Sequence, residues 1–291
     1  MSDEPGFLPL SEATVAVLGL GLMGGSLAMA LRGQCRALIA IDPDPATLDL
    51  AREWNLADRL AAAPGELVAQ ADWIVLAAPV GAILHLLADL PGLHPGSPVV
   101  IDLGSTKREI LRAMQALPER FDPLGGHPMC GKEHSSLANA EAGLYRGAPF
   151  ALVPLERSGS RARAAGEELA RAAGARPLWL DAETHDRWTA ATSHLPTLAA
   201  AALAGVTPAE AAPLAGPGFR STSRLAAQPA AVMLDVLMSN RDLLRPALAG
   251  LRRALEEADR LLETGDRAGL SAFLQRGADR RAEILSSGGG L

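Results

Sequence analysis

Three glycines near the N-terminus form the pattern GxGxxG: Gly19, Gly21 and Gly24. They follow the apolar run TVAVL and open a helical pattern, which is the context of a dinucleotide-binding turn. There the first glycine permits a tight bend, the second lets the backbone approach a pyrophosphate, and the third lets helix and strand pack closely. The N–H groups at the helix start, including those of Leu22 and Met23, are predicted to face the phosphates. The pattern predicts a dinucleotide site.

An acidic residue after the next β-rich run indicates which dinucleotide is bound. Asp42 lies 18 residues beyond Gly24, at the end of the run ALIAI. A carboxylate there accepts hydrogen bonds from the adenosine ribose hydroxyls and repels a 2′-phosphate. The next residues are Pro43, Asp44 and Pro45, so no arginine follows directly to bind such a phosphate. The predicted cofactor is therefore NAD, which these residues favour over NADP.

Four further segments carry side chains that could do chemistry. Gly104–Lys107 (GSTK) and Gly125–Gly131 (GGHPMCG) are expected at carboxyl ends of parallel strands, where nucleotide and substrate meet. Ser193–Pro196 (SHLP) and Gly218–Ala226 (GFRSTSRLA) lie in the helical half of the chain.

The first part of the chain alternates short apolar runs with helical patterns, which is typical of a doubly wound α/β domain with a parallel sheet. The predicted strands are 14–18, 37–41, 73–77, 98–103, 150–153 and 177–180. The predicted helices are 23–32, 45–54, 65–70, 81–88, 106–117 and 161–173. We therefore predict a Rossmann-like NAD-binding domain over residues 12–181.

After residue 181 the β pattern ends, and residues 182–291 are predicted to form an all-helical substrate and dimerisation domain. Pro196 is expected to kink or break the first helical stretch, 183–206. One long helix is predicted over 230–263 and a final one over 266–285. Within the long helix, apolar residues recur at steps of four and three: Leu244, Leu248, Leu251, Leu255, Ala258 and Leu262. This seam fits intramolecular packing and a dimer interface equally well.

Taken together, these motifs resemble the prephenate/arogenate dehydrogenase family of tyrosine biosynthesis. The resemblance extends from about residue 14 to 285 and rests on five segments in register: GLGLMGGSLA, DLGSTK, GGHPMCGKE, SHLP and GFRSTSRLA. It implies a cytoplasmic homodimer that associates through its helical domain. It also implies an oxidative decarboxylation in which NAD takes a hydride from ring carbon C4 and the C1 carboxylate leaves as CO2.

The resemblance assigns roles to three residues. His127 matches the family's catalytic histidine, which draws the proton from the C4 hydroxyl, although a turn histidine before Pro128 is the plainer alternative. Ser105 matches a residue that orients the hydroxyl and the nicotinamide, and it could also cap the helix predicted over 106–117. Arg224 matches an arginine that binds a substrate carboxylate bidentately, where the alternative is a surface cation.

Other positions stay open. Arg220 and His194 are secondary candidates for substrate binding, and Lys107 could equally be a solvated lysine. Thr197 stands where many members of the family have a second histidine, and Met233 replaces an aromatic residue. Because both positions are expected to line the substrate pocket, the choice between prephenate and arogenate is open. The remaining histidines show no partner pattern and are interpreted as structural or surface residues: His85, His94, His134 and His185.

Two competing functions share features with this sequence. A β-hydroxyacid dehydrogenase also begins with a GLGxMG-type motif, but it relies on a lysine in its helical half, and no lysine follows Lys132 here. A non-catalytic NAD-binding protein is disfavoured by the joint presence of His127, Ser105 and Arg224.

Composition excludes several other classes. The chain has 291 residues and a net charge of −6, so a nucleic-acid-binding surface is not expected. The longest apolar stretch, 73–88, is broken by Pro79, Gly81 and His85, and the N-terminus lacks the basic residues of a signal peptide. Cys35 and Cys130 form no CxxC pair, and no zinc-binding spacing is present, so we expect a soluble cytoplasmic protein without a metal.

Overall fold

A single mixed sheet of eight strands organises the computed structural model, which describes residues 6–132 and 135–288. The strand order is β3-β2-β1-β4-β5-β6-β7-β8, and within the described residues only β6 and β7 pair antiparallel. The strands are β1 (Thr14–Leu18), β2 (Ala37–Ile41), β3 (Arg59–Ala61), β4 (Trp73–Leu76), β5 (Val99–Asp102), β6 (Asp122–Pro128), β7 (Pro149–Pro154) and β8 (Arg176–Trp179). Glu133 and His134, named above, lie outside the described residues.

Helices cover both faces of this sheet because the central strands are apolar on both sides. Every residue of β1 is buried, and its alternate side chains enter two separate cores: Val15 and Val17 one, Ala16 and Leu18 the other. The helices of this part are α1 (Leu22–Leu31), α2 (Pro45–Glu53), α3 (Gly65–Val68), α4 (Val80–Leu93), α5 (Arg108–Gln115) and α6 (Ser160–Ala172). The doubly wound α/β prediction is confirmed.

All six predicted strands are present within one residue of their expected bounds, but β3 and β6 were missed. β3 has only three residues and begins with Arg59. β6 reads DPLGGHP, and its prolines and glycines are typical of a loop.

The helical half consists of α7 (Ala182–Thr189), α8 (Leu195–Val206), α9 (Pro217–Ser223), α10 (Ala230–Ser239), α11 (Arg241–Glu263) and α12 (Arg267–Gly288). A π-helical turn, Ala190–His194, joins α7 to α8, and Pro196 lies in the first turn of α8. The prediction of one helix over 230–263 was wrong, because the backbone leaves the helical conformation at Asn240 (φ −118°, ψ 19°).

The chain divides into two compact units, one up to Asn240 and one from Arg241. The second unit contains α11 and α12, which Arg276 and Glu257 join by an ion pair of 2.5 Å. Three leucines of the predicted seam, Leu248, Leu255 and Leu262, are exposed. The division at residue 181 stays a prediction. No helix in the described ranges is long and apolar enough to cross a membrane.

Candidate active site

The glycine turn has the shape that a pyrophosphate requires. Gly19 has φ of 98°, and a Cβ on it would lie 2.5 Å from the carbonyl oxygen of Ala77. A Cβ on Gly24 would overlap the carbonyl oxygen of Gly19 itself. Only glycine fits either position, so the backbone can approach a ligand closely and α1 can begin at Leu22. The Leu22 N–H donates to the carbonyl of Ser135 (3.0 Å), so a phosphate could take this donor only after that bond breaks.

Asp42 lies directly after β2, beside this turn. Its Oδ2 accepts from the Leu20 N–H at 2.7 Å, and its Oδ1 accepts from the Asp44 N–H at 3.0 Å. Each carboxylate oxygen has more than one lone pair, so both can still accept from a ribose hydroxyl. The glycine turn and Asp42 therefore fit a dinucleotide without a 2′-phosphate.

A cleft of about 330 Å³ opens beside the glycine turn. Gly21, Ser105, Cys130, Gln228 and Met233 are among its lining residues. The structure thus places Ser105 in the same cleft as Gly21 of the glycine turn. Burial raises the pKa of the Cys130 thiol to about 11, so it stays protonated at neutral pH.

Ser105 does not cap a helix, which corrects one expectation. Helix α5 begins at Arg108, and no side chain of its own segment caps it. The carboxylate of Asp186, on α7, instead accepts from the N–H groups of Lys107 (2.7 Å) and Arg108 (2.9 Å). The first helix of the second predicted domain therefore supplies the cap of α5.

Two histidines connect the buried carboxylate of Asp186 to the carboxyl end of β6. His127, at the end of β6, places its Nδ1 2.9 Å from Nε2 of His185. His185 in turn places Nδ1 2.8 Å from Oδ1 of Asp186. Both His185 and Asp186 are almost fully buried. His185, interpreted from the sequence as a structural or surface residue, is therefore not on the surface but is a buried partner of His127.

The surroundings fix the protonation states of the Asp186 carboxylate and the His127 imidazole. Burial tends to raise the pKa of Asp186, but hydrogen bonds from His185 and from the N–H groups of Arg108 and Lys107 outweigh it and hold the pKa below its usual value. The pKa of His127 is well below 6.5, first because burial disfavours its charged form and then because His185, Lys107 and His194 lie nearby. The imidazole of His127 is therefore neutral at pH 7.

Lys107 is fully buried, which corrects its interpretation as a possible solvated residue. It forms an ion pair with Asp102, and neither side chain has any exposed surface. Lys107 Nζ also donates to the carbonyl of Gly126 at 2.6 Å, while Asp102 Oδ1 accepts from the Gly126 N–H at 3.2 Å. The pair therefore holds both backbone polar groups of Gly126, the residue directly before His127. Burial raises the pKa of Asp102 and lowers that of Lys107, and their mutual attraction opposes both shifts.

His194 lies in the π-helical turn and is 1% exposed. Its Nδ1 is 3.1 Å from Nδ2 of Asn240, an amide whose Oδ1 accepts from Arg108. Asn240 therefore donates, and the proton of the neutral His194 ring must be on Nε2. This Nε2 has no hydrogen-bond partner among the described residues. Burial lowers the pKa of His194 to about 4.

Arg220 and Arg224 lie on short helices between α8 and α10, and Thr197 lies in the first turn of α8. Arg220 and Arg224 are exposed, and Arg220 donates from Nε to the carbonyl of Ala215 (3.1 Å). Thr197 is 7% exposed and bonds to Gln228, which the sequence analysis did not select. His127, Lys107 and His194 belong to one network through Asp186 and its neighbours.

Comparison with known proteins identifies the family of this chain. Residues 27–178 match the family model "Prephenate dehydrogenase, nucleotide-binding domain", and residues 181–276 match "Prephenate dehydrogenase, dimerization domain". The chain belongs to the prephenate dehydrogenase family. It is accordingly an oxidoreductase whose N-terminal part binds a nucleotide.

Individual relatives cover nearly the whole chain. The prephenate dehydrogenase of Bacillus subtilis is 29% identical over 92% of this chain and 75% of its own length. The cyclohexadienyl dehydrogenase of Zymomonas mobilis is 28% identical over 86% and 91%. The crystal structure of prephenate dehydrogenase from A. aeolicus in complex with hydroxyphenyl propionate and NAD+ superimposes with a TM-score of 0.86, covering 94% of this chain and 99% of that one. At 24% identity that structural likeness shows the fold.

Proposed function

We propose that this chain catalyses the NAD-dependent oxidative decarboxylation of prephenate to 4-hydroxyphenylpyruvate in tyrosine biosynthesis. The same chemistry on arogenate would give tyrosine. The observation that carries the proposal is the chain of hydrogen bonds from Asp186 through His185 to His127, because it orients a neutral imidazole at the edge of the sheet. Family membership supplies the substrate class.

The hydrogen-bond chain fixes where His127 can accept a proton. Asp186 is ionised, so it accepts from His185 Nδ1–H, which leaves a lone pair on His185 Nε2. That lone pair accepts from His127 Nδ1–H, and the lone pair of His127 is then on Nε2. His127 Nε2 is thus the proposed base for the C4 hydroxyl of the substrate. As the ring becomes positive, His185 and Asp186 stabilise the charge.

Other residues bind and orient the substrate. Ser105, which lines the cleft, would hydrogen-bond the C4 hydroxyl beside the nicotinamide. Arg224 would bind the C1 carboxylate with two N–H groups, and the unpartnered Nε2–H of His194 would donate to a substrate oxygen. Arg220 is a second candidate for that carboxylate. Thr197 is proposed to act through Gln228, whose Oε1 accepts a hydrogen bond from its hydroxyl.

The glycine turn and Asp42 would hold NAD, which when bound supplies the acceptor for the hydride of C4. The C4 hydroxyl proton goes to His127 as the C4 carbonyl forms. The C1–carboxylate bond breaks, CO2 leaves, and the electron pair of that bond completes the aromatic ring. The C4 oxygen becomes a phenolate and takes back the proton from His127, which restores the neutral imidazole.

The direct test is the increase in NADH absorbance when purified protein is mixed with NAD and prephenate, then with arogenate, and then with NADP in place of NAD. We expect turnover with NAD, and little with NADP. The matched control is His127→Asn, which keeps a polar side chain but lacks the basic ring nitrogen. No turnover with either substrate would reject the proposal and favour a non-catalytic nucleotide-binding protein.

We further propose a homodimer that forms through the helical domain. Support comes from the matched dimerization domain and from the exposed leucines Leu248, Leu255 and Leu262 on α11. The domain division at residues 181/182 and a cytoplasmic location are part of the same proposal.

A further inference from the structure

The two candidate substrates differ only in the side chain on ring carbon C1. Prephenate carries a pyruvyl group, whose keto oxygen only accepts hydrogen bonds. Arogenate carries an alanyl group, whose ammonium only donates them. The C1 carboxylate is attached to the same carbon, so a residue that distinguishes the two side chains must lie close to the residue that binds the carboxylate. Under the proposed function, which this inference requires, that residue is Arg224.

Gln228 is in the appropriate place. It follows the short 3-10 helix Arg224–Ala227 and lines the same cleft as Ser105. Its Oε1 lies 3.1 Å from Oγ1 of Thr197, and none of the described residues accepts a hydrogen bond from its Nε2. An amide has one donor end and one acceptor end, and a half-turn about its last torsion exchanges them. The end that faces Thr197 therefore decides which end is left for a ligand.

Thr197 can stabilise either orientation of this amide. Its hydroxyl has one proton and two acceptors at equal distance: the carbonyl of Ser193, 3.1 Å away, and Oε1 of Gln228, also 3.1 Å away. When the proton goes to Gln228, the amide presents its NH₂ group to the cleft, which suits a keto oxygen. When the proton goes to Ser193, Thr197 Oγ1 can accept from Gln228 Nε2. The amide then presents its carbonyl oxygen, which suits an ammonium.

We infer that the Thr197–Gln228 pair reads the substrate side chain in both orientations, so that this chain oxidises both prephenate and arogenate. A histidine at position 197, which is common in the family, would not have this back-bond to Ser193. The pair thus sets the substrate range of this chain, because the Thr197 hydroxyl has an acceptor, Ser193 or Gln228, in either orientation of the amide.

The test compares kcat/KM for prephenate and for arogenate, with NAD, in the wild type and three variants. Gln228→Glu has the same shape, but it only accepts and is negatively charged, so the ratio of prephenate to arogenate kcat/KM should fall by at least about tenfold, as expected for a charged hydrogen bond. Thr197→Val removes the orienting hydroxyl and should lower both values several-fold. Thr197→Ser should restore them. Gln115→Glu, the same change at an exposed position of α5, is the control and should leave the ratio unchanged.

Each outcome is decisive. Wild-type kcat/KM values within about a hundredfold of each other, together with the shift in Gln228→Glu, support the inference. A wild type that uses one substrate more than a thousandfold better would overturn it, as would a Gln228→Glu variant that loses both activities in equal proportion. In both of those cases the proposed function stands. A wild type inactive on both substrates would reject the proposed function, and this inference with it.

Discussion

At the scale of single residues, the site depends on one neutral imidazole. The ring of His127 is held by His185, and the backbone of the preceding residue, Gly126, is held by the Asp102–Lys107 pair, so both the ring and the strand that carries it are oriented. A base that is already oriented and uncharged contributes to the transition state without reorganisation. The catalytic contribution of this residue should therefore be separable from substrate binding.

The first prediction concerns the His127→Asn variant. Because the base acts only as the hydride leaves, kcat should fall by about 10²–10⁴-fold while KM changes much less. Steady-state kinetics with NAD and the preferred substrate measure both constants. A near-normal kcat would show that His127 is not the base, and the alternative role of a structural turn residue would then hold.

The second prediction is the pH dependence of the wild type. The pKa of His127 is lowered well below 6.5, first by burial and then by its charged and histidine neighbours. Its proton is therefore lost at lower pH than that of an ordinary histidine, so kcat/KM should rise with pH and the midpoint of that rise should lie below 6.5. Initial rates between about pH 5 and 8 test this. An acid limb with its midpoint at or above 6.5 would contradict the assignment.

The third prediction concerns Arg224, which binds a carboxylate that is present before the reaction begins. Arg224→Ala should act chiefly by raising KM, by an amount equivalent to about 2–4 kcal/mol of binding. Arg224→Lys keeps the charge but not the planar fork, so it should restore only part of the loss. Since the carboxylate departs as CO2, a moderate fall in kcat is also expected. An unchanged KM in the alanine variant would move the carboxylate site elsewhere, with Arg220 as the next candidate.

The sequence was sufficient for those residues that stand in linear motifs. His127 and Ser105 could be selected because each follows a strand within a recognisable segment. His185 could not, because its partner lies 58 positions away in the chain and only folding brings the two rings together. Its one sequence signal is that an acidic residue, Asp186, follows it directly. Gln228 was missed for the same reason, since Thr197 is 31 positions away.

At the scale of elements, the start of α5 differs from the other helix starts that carry an acidic cap. Asp181 caps α7 locally and is exposed, with its Oδ1 2.8 Å from the Thr184 N–H. Asp186 caps α5 from another helix and is fully buried, while it also holds His185 and Arg108. The two aspartates thus perform the same hydrogen-bonding task in opposite environments.

The fourth prediction uses this contrast. Asp181→Ala should lower the free energy of unfolding only slightly, because the cap that it removes is exposed to water. Asp186→Ala should lower it by about 3–5 kcal/mol, because it leaves buried polar partners uncompensated. Urea unfolding of the two variants, followed by circular dichroism, gives the comparison. Equal losses would mean that the buried carboxylate contributes no more than an ordinary cap.

Element boundaries could be predicted where the local pattern decides them and not where a distant side chain does. The apolar strands and the glycine turn were placed correctly, because burial and backbone freedom depend there on the types of neighbouring residues. The break at Asn240 was missed because the apolar spacing continues through it. Helix α10 ends there because of long-range bonds: the Nδ2 group of Asn240 donates to the carbonyl of Asp186 and to Nδ1 of His194.

At the scale of the whole molecule, the fifth prediction concerns assembly. Leu255 and Leu262 are 62% and 65% exposed on α11, and a second copy of the chain would bury them. Light scattering at micromolar concentration should give the mass of a dimer, and the double variant Leu255→Asp/Leu262→Asp should give a monomer. The control is Leu214→Asp, because Leu214 is 90% exposed in the first unit and should not affect assembly. A monomeric wild type would remove the dimer proposal.

The shared cap of α5 has a consequence for anyone who tries to improve this protein by mutation. The carboxylate of Asp186 caps the start of α5, bonds Arg108 and orients His185. The same two oxygen atoms therefore contribute both to the stability of the fold and to turnover. Thermostabilising changes there should trade directly against activity, and pairs of substitutions at 185, 186 and 240 should be strongly non-additive. Libraries that exclude these three positions should therefore yield a larger share of active variants than libraries of equal size that include them.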